Sequence, residues 1–356
     1  MIAWAKKAGM VGVDLGSQSV KLAQIEQSGG KTILRAASSI PRKRPLENTE
    51  TTQSNARTSQ EEISSAKVLS GSFRGRAAAA VVSMTLCDLR QLSVTDGTPD
   101  EVQDAIQREL EMQGHSSLIG QQFDYWDVRV QGEAHPPREN INVLSLATTW
   151  AEQIADDLSR SKLRCMLING LPHAMAHAIQ LSGQAADETT AVVDWGYNCA
   201  TFCLVHLGRP IFVRELRRCG LHGFVQAIAK ALDVSADEAQ VILRKHGFVE
   251  ASSAGDELGA LLGNIMTRPL GQVIEEIKRT LIFLKSHRRV AAAKSLVVTG
   301  GGAVVPNSID LLNRHLPVGV HSWQSPHLVV SDEVEEDLPL AQFASAIALS
   351  SLAWGK

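Results

Sequence analysis

The stretch MVGVDLGSQSVKLAQIE (residues 10–26) decides the fold of this chain. It has the pattern of a short apolar strand, a tight polar turn and a second strand in which apolar and polar residues alternate. The same pattern returns at AVVDWGYNCATFCLV (residues 191–205), which aligns with the first copy without a gap. The aspartate and the glycine of the turn recur in register at an offset of 180 residues: Asp14 with Asp194, and Gly16 with Gly196. This internal repeat predicts two lobes built on one plan.

A third glycine-rich turn follows in the second half of the chain. Residues 295–299 are expected to form a strand that runs into Gly300-Gly301-Gly302-Ala303, and Pro306 is expected to open a helix. Glycine allows backbone N–H groups to approach an anion closely, and an aspartate at the end of a strand can hold water around Mg²⁺. Two facing turns of this kind could clamp a polyphosphate, and the third could lie against a nucleoside.

Composition argues against several other classes of protein. The chain has 356 residues, with 35 Lys and Arg against 38 Asp and Glu, so its formal net charge is −3. A nucleic-acid-binding protein generally needs a basic face, and we therefore expect no nucleic-acid partner. No apolar run reaches the roughly 20 residues that span a bilayer, so we expect no transmembrane segment. The first seven residues lack the pattern of a signal peptide.

The cysteines and histidines give no metal or disulfide pattern. The five cysteines are odd in number and contain no Cys-x-x-Cys pair, which favours a reducing compartment. His173 and His177 have the spacing of a helical metal pair, but no third ligand is evident. We expect both histidines to be ordinary helix residues.

The rest of the sequence predicts how the two lobes are organised. We expect a tail at residues 1–10, a first lobe at 11–190 and a second lobe at 191–356. Residues 41–66 are rich in Ser, Thr, Asn, Gln and Glu and predict a mobile loop. The basic run at 42–44 inside this loop is expected to be solvated, with contact to acidic lipid or to a partner as the alternative.

A small inserted subdomain is expected at residues 84–162. Its pattern predicts a helix at 99–113, a pair of antiparallel strands at 123–130 and 141–148, and a helix at 150–161. In the second lobe, helices are expected at these positions: 220–232, 235–245 with a capping box of Ser235 and Glu238, 255–287, and 339–354 at the end of the chain.

With these motifs the sequence resembles the actin-like ATPase superfamily, and within it the PilM family of pilus assembly proteins and the related FtsA cell-division proteins. The two hairpin turns resemble the two phosphate loops of that superfamily, and the glycine turn resembles its adenosine motif. Four segments carry the closer resemblance to PilM: GVDLGSQSVKL (12–22), RELE (108–111), GRPIFVR (208–214) and EEIKRTLIFLK (275–285). Together they extend over nearly the whole chain apart from the 41–66 loop.

The resemblance implies an α/β, two-lobed actin-like ATPase fold, a duplicated ribonuclease H-like fold, with an inserted 1C-type subdomain. It implies a cytoplasmic protein, peripheral at the inner membrane, that takes part in assembly of a type IV pilus or a related secretion or competence machine. The implied ligands are ATP with Mg²⁺ between the lobes and the N-terminal cytoplasmic peptide of a PilN-like membrane protein. Self-association is also open, and the expected activity is at most a slow ATPase.

The resemblance also implies roles for individual residues. Asp14 and Asp194 would hold hydrated Mg²⁺ and are the catalytic candidates. The expected nucleotide contacts come from all three turns and one helix of the second lobe: Gly16, Ser17, Gln18, Lys21, Gly196, Tyr197, Asn198, Thr201, Gln240, Gly301 and Gly302.

The chain departs from the family at two of these places. Relatives commonly carry an Ala-Glu-x-x-Lys element that addresses the adenosine, whereas this chain has Gln240 and Leu243 at the Glu and Lys positions. Arg244 is about 100° further round the helix, and Trp195 and Tyr197 make the second turn bulkier than usual. Three alternatives therefore stay open: an actin-like scaffold that has lost its nucleotide, an FtsA-like division protein, and a small-molecule kinase of the same superfamily.

Overall fold

The computed structural model describes residues 7–43, 59–70, 73–112, 120–130, 139–185, 187–250, 256–287 and 293–354. None of the helices in these ranges combines the length and the apolar character that a bilayer crossing requires. The strands are β1 (Lys7–Ala8), β2 (Val11–Leu15), β3 (Ser19–Ser28), β4 (Lys31–Pro41), β5 (Ala77–Val82), β6 (Cys87–Leu92), β7 (Gln121–Asp127), β8 (Ile141–Ala147), β9 (Arg164–Gly170), β10 (Thr190–Trp195), β11 (Ala200–His206), β12 (Arg209–Leu216), β13 (Ser295–Thr299), β14 (Gly319–Ser322) and β15 (Leu328–Val330).

The helices alternate with these strands along the chain. They are α1 (Gln60–Ser70), α2 (Pro99–Met112), α3 (Thr148–Arg160), α4 (Leu171–Leu181), α5 (Leu221–Leu232), α6 (Ala236–His246), α7 (Glu257–His287), α8 (Ser308–His315) and α9 (Ala344–Ser351). Short 3₁₀ turns cover Met84–Leu86, Gly301–Val304, Leu340–Phe343 and Leu352–Trp354.

The two larger sheets repeat one plan, as the sequence repeat predicts. Within the described residues, the first sheet has the order β15-β4-β3-β2-β5-β9, with β1 added beside β3, and the second has the order β12-β11-β10-β13-β14. In each sheet the repeated hairpin is antiparallel, β2 with β3 and β10 with β11. A later strand then joins the first strand of that hairpin in parallel, β5 beside β2 and β13 beside β10. This arrangement places both turns at the carboxyl ends of the parallel strands.

The inserted block contains a third sheet with the order β6-β8-β7. The helix and the two antiparallel strands expected in this block are present, whereas β6 was not predicted. Helix α2 covers one face of the sheet, with Ile106 and Leu110 buried beside Ile141 and Val143. Helix α3 turns its apolar side, including Leu158, to the first sheet instead.

Helix α9 packs against strands β2, β3 and β5 of the first sheet. Small residues let a helix approach a sheet closely, and Gly12 of β2 lies directly against the Ala346 carbonyl, where a Cβ would overlap it. The Ser350 hydroxyl accepts a hydrogen bond from the Ile25 N–H at 2.9 Å and donates one to the Met10 carbonyl at 2.6 Å. Helices α4 and α9 thereby join both sheets into one apolar core.

Three predicted elements have different limits in the structure. The loop expected at 41–66 is shorter, because β4 runs to Pro41 and α1 begins at Gln60, while residues 44–58 lie outside the described residues. Pro306 does not open a helix; α8 begins at Ser308, after the 3₁₀ turn that the glycines form. The helix expected at 339–354 is α9 flanked by two 3₁₀ turns.

Candidate functional site

The turns of the two hairpins face each other across a cleft of about 540 Å³. Residues from both lobes line it, and they include nearly all of the predicted site residues: Asp14, Gly16, Ser17, Gln18, Lys21, Asp194, Gly196, Tyr197, Asn198, Thr201, Gln240 and Gly301. Gly302 is the exception, since it is not among the lining residues. The tertiary structure thus brings together residues up to 287 positions apart in the sequence.

The two turns have the same local geometry. A Cβ on Gly16 would lie 2.8 Å from the Ser19 carbonyl oxygen, and a Cβ on Gly196 would lie 2.9 Å from the Cys199 carbonyl oxygen. Each turn therefore closes so tightly that glycine is required at this position. The tight closure leaves the backbone of both turns open to the cleft.

The first turn carries a buried ion pair. The Lys21 ammonium donates to an Asp14 carboxylate oxygen at 2.7 Å, and both residues occupy opposing positions of β2 and β3. The Lys21 side chain is 9% exposed and that of Asp14 is 18% exposed. In the second turn the residue that opposes Asp194 is Thr201, so the second lobe lacks this lysine.

Asp194 is the most strongly perturbed carboxyl group of the cleft. Burial, and then the negative charge of Asp14, raise the pKa of Asp194 to about 6. The charge of Lys21 and a hydrogen bond from the Thr299 hydroxyl, 3.1 Å from Asp194 Oδ1, act in the opposite direction. Sequence reasoning missed Thr299, although its place at the end of β13 beside Asp194 is a signal that strand pairing could have supplied.

One hydrogen bond crosses the cleft. The Gln18 amide nitrogen donates to Gln240 Oε1 of α6 at 3.2 Å and so links the first turn to the second lobe. Gln18 Oε1 is buried and has no hydrogen-bond partner within the described residues. The Gln240 carboxamide accepts this hydrogen bond without adding a charge to the cleft.

The third turn lies over an aromatic cluster. The Trp195 ring is buried, donates its indole N–H to the Cys219 carbonyl at 2.8 Å and stacks on Phe248 at a centroid distance of 5.0 Å. A Cβ on Gly302 would overlap the Trp195 ring, so Gly302 allows the turn to sit directly on the indole. The expectation that Trp195 crowds the second turn is therefore wrong, because its side chain belongs to the core beneath the cleft.

Leu243 and Arg244 are neighbours on α6 but differ in exposure. Leu243 lines the cleft yet is only 2% exposed, with its side chain in the core. Arg244 is exposed and also lines the cleft, so α6 does present a cation to it. Tyr197 contributes a ring edge against His222, with ring centroids 5.4 Å apart.

Arg42 is a second residue whose role sequence reasoning missed. We expected the basic run at 42–44 to be solvated, but Arg42 is 7% exposed and its Nε donates to the Gly16 carbonyl at 2.8 Å. Nothing in the sequence separates Arg42 from Lys43, which is exposed and pairs with Glu61 at 2.9 Å. Only the chain path after β4 turns one cation inward and the next one outward.

The donor set of the cleft fits a magnesium nucleotide. Mg²⁺ is usually held by one or two carboxylates together with water and substrate phosphates. Asp14 and Asp194 provide two carboxylates from facing turns, and their mutual repulsion would be relieved by a dication. In the part of the chain that the structure describes, no group of three or more His, Cys, Asp or Glu residues could hold a metal by itself. Any Mg²⁺ here would depend on the phosphates.

The fold and the cleft define a two-lobed, actin-like α/β protein, and solved structures have the same architecture. A PilM–PilN type IV pilus biogenesis complex matches with a TM-score of 0.76 at 18% identity, over 98% of this chain and 99% of that chain. The ethanolamine utilization protein EutJ from Carboxydothermus hydrogenoformans matches with a TM-score of 0.52 at 14% identity, over 97% and 89% of the two chains.

A family model then narrows the class to one family. The model of the type IV pilus assembly protein PilM matches residues 12–348, and the chain belongs to this family. Among curated proteins no sequence matches the chain. The resemblance found in the sequence and the actin-like fold are thus both confirmed.

Proposed function

We propose that this PilM-family protein binds ATP with Mg²⁺ between its lobes and uses the nucleotide as a structural or switching ligand, hydrolysed slowly at most. The observation that carries the proposal is the pair of carboxylates, Asp14 and Asp194, in two matching glycine turns that line one cleft; burial and then the charge of Asp14 raise the pKa of Asp194. Such a pair gains most from a ligand that brings a dication and polyphosphate together.

Different residues of the cleft would bind different parts of that ligand. Backbone N–H groups of the turns at Gly16 and Gly196 would bind phosphate oxygens, and Lys21 would add a charge-assisted hydrogen bond. Asp14 and Asp194 would hold the hydrated metal. Gln240 would form a hydrogen bond with the ribose through its uncharged carboxamide. A bound Mg²⁺ would supply charge neutralisation of the phosphates.

Binding can be tested with a fluorescent ATP analogue and the intact protein, with and without Mg²⁺. We expect Mg²⁺-dependent binding that Asp194→Ala abolishes and that the exposed-site control Asp337→Asn leaves intact. Mg²⁺ alone should give no thermal shift, because the metal site is incomplete without phosphate. Failure of the folded wild-type protein to bind at millimolar nucleotide would refute the proposal.

A specific observation favours one alternative, a scaffold that no longer binds nucleotide. The Gln18–Gln240 hydrogen bond already joins the two lobes, and Leu243 offers no charge to a ligand. If the cleft is permanently closed by this contact, Gln240→Ala should open the lobes without producing nucleotide binding. Restoration of the family residue by Gln240→Glu should instead change nucleotide affinity if the cleft is in use.

The partner in this proposal is the N-terminal cytoplasmic peptide of a PilN-like inner-membrane protein, which would place the protein in the cytoplasm at the membrane. The structural relative was solved as a PilM–PilN complex, and family membership supports a role in type IV pilus assembly. An exposed apolar surface is available beside the inserted subdomain, where Met166 and Leu167 of the edge strand β9 are 50% and 40% exposed.

Peptide binding can be measured by fluorescence anisotropy with a labelled N-terminal PilN peptide. We expect Met166→Glu with Leu167→Glu to weaken binding at least tenfold. The control is Val241→Glu, at an apolar position on α6 that is 61% exposed. Equal affinities of all three proteins would exclude the β9 edge as the peptide site.

A further inference from the structure

Arg42 contacts the first turn of the cleft but is not among the residues that line the cleft. Its Nε donates to the Gly16 carbonyl at 2.8 Å, and its backbone N–H donates to the Gln18 carbonyl at 2.8 Å. Both carbonyls belong to the first turn, and Gly16, Ser17 and Gln18 of this turn line the cleft. Because a peptide group is planar, fixing its carbonyl also fixes the direction of the N–H on its other side.

The guanidinium of Arg42 is held in a place that costs free energy. Burial lowers the pKa of Arg42, and the charges of Glu62, Asp14 and Asp157 act against that effect. Its Nη2 is buried without a hydrogen-bond partner among the described residues. A buried donor without a partner is unfavourable for stability.

A chain of hydrogen bonds continues from Arg42 to helix α3. Arg42 Nη1 donates to the Ser59 hydroxyl at 3.0 Å, and the Ser59 N–H donates to Asp157 Oδ2 at 2.5 Å. Asp157 is 2% exposed and accepts a further hydrogen bond from Gln153, one turn earlier on α3, at 2.8 Å. Arg42 follows β4, Ser59 precedes α1 and Asp157 lies on α3. Directional hydrogen bonds thus join three separate parts of the chain.

Helix α3 is the element that connects the inserted subdomain to the first sheet. It follows directly on β8 of the three-stranded sheet, contacts β7 and β8, and leads into β9. Its apolar face packs on the first sheet. Helix α3 therefore contacts both the inserted subdomain and the first sheet, and Asp157 lies on it.

We propose that Arg42 is a positioning residue that couples the first turn of the nucleotide cleft to α3 and thereby to the inserted subdomain. A nucleotide bound at the cleft and a peptide bound at the edge of β9, the strand into which α3 leads, would each bias the same hydrogen-bonded chain. Such coupling is reciprocal, so each ligand would change the affinity for the other by the same factor. This last consequence rests on the proposed function, whereas the mechanical link does not.

The link can be tested without any ligand by hydrogen–deuterium exchange of the peptide that contains residues 12–22. We expect Arg42→Gln and Asp157→Asn each to speed exchange in this peptide by about tenfold to hundredfold, as for loss of a hydrogen bond to a charged group. Lys43→Ala is the matched control, because Lys43 joins the same two segments through Glu61 but does not contact the turn. Exchange in β10 and β13 of the second lobe should not change and reports on the global fold.

The decisive variant is Asp157→Asn, since residue 157 makes no contact with the turn in the chain of bonds described. Unchanged exchange at 12–22 in this variant, with α3 itself altered, would overturn the proposal. If Arg42→Gln fails to fold, Arg42→Lys takes its place, because lysine keeps the charge but cannot reach both Gly16 and Ser59. Exchange at 12–22 no faster in Arg42→Lys than in Lys43→Ala would equally contradict it.

A second arm separates this proposal from the proposed function. Affinity for the fluorescent ATP analogue is measured with and without saturating PilN peptide, in wild-type protein and in Asp157→Asn. Coupling of fivefold or more in the wild type that disappears in the variant is the expected result. A wild-type protein that does not bind nucleotide refutes the proposed function, while the exchange experiment still decides the link.

Discussion

Asp194→Asn should stabilise the ligand-free protein at neutral pH. Raising the pKa of Asp194 from its ordinary value of 3.8 to about 6 corresponds to about 3 kcal/mol of destabilisation once the carboxylate is charged. An asparagine carries no charge that burial or Asp14 could penalise, and its amide oxygen can still accept the hydrogen bond from Thr299. The expected gain in unfolding free energy is therefore at most about 3 kcal/mol.

The pH dependence gives this prediction its sign. Because the pKa of Asp194 is raised in the folded protein, the folded state binds more protons than the unfolded state between the ordinary value and about 6. Wild-type stability should therefore fall as the pH rises through this window. From these two pKa values, the advantage of Asp194→Asn should be about 2 kcal/mol larger at pH 7.5 than at pH 4.5.

Urea denaturation of the wild type and of Asp194→Asn at both pH values measures the difference directly. Asp337→Asn, at an exposed carboxyl group, is the control and should show no such pH-dependent gain. The reasoning is refuted if Asp194→Asn changes stability equally at pH 4.5 and pH 7.5, or destabilises the protein at pH 7.5. Either result would mean that Asp194 is not a buried carboxylate beside a like charge.

Two further predictions concern packing and helix capping. Gly12→Ala should destabilise the protein by more than about 2 kcal/mol, because its Cβ would overlap the Ala346 carbonyl, whereas Gly271→Ala, in open space on α7, should stabilise it by about 1 kcal/mol. A thermal melt of both variants checks the opposite signs. Ser235→Ala removes the capping box that Ser235 forms with Glu238 and should cost about 1 kcal/mol in unfolding free energy, with Ser235→Asp restoring most of it.

The cleft geometry connects these stability effects to function. The protein carries two like charges, Asp14 and Asp194, in facing turns; Lys21 pairs with Asp14, and the charge of Arg42 also acts on Asp14. A variant that relieves the repulsion should gain stability and lose metal-dependent binding together. A gain in stability together with a loss of binding is expected where a binding site lowers the stability of the ligand-free protein.

Local patterns in the sequence determined the repeated hairpins, the glycine turns and most of the helices. Strand alternation at residues 10–26 and 191–205 depends only on side-chain period, and the capping box at Ser235 depends only on neighbours three residues apart. The internal repeat then fixed the two-lobed plan, and the motifs identified the family before any contact was known.

Tertiary structure alone decided which polar residues meet. Gln18 and Gln240 lie 222 positions apart, and no local pattern indicates that their amides touch. Composition made the run at 42–44 look solvated, yet the path of the chain after β4 buries Arg42 against the first turn while Lys43 stays exposed. Trp195 likewise belongs to the core rather than the cleft because Phe248 and Gly302 leave a space for its ring. The local sequence determines which segments form helices and strands. Burial, ion pairing and pKa values depend on groups distant in the sequence, which only the packing of the two lobes brings together.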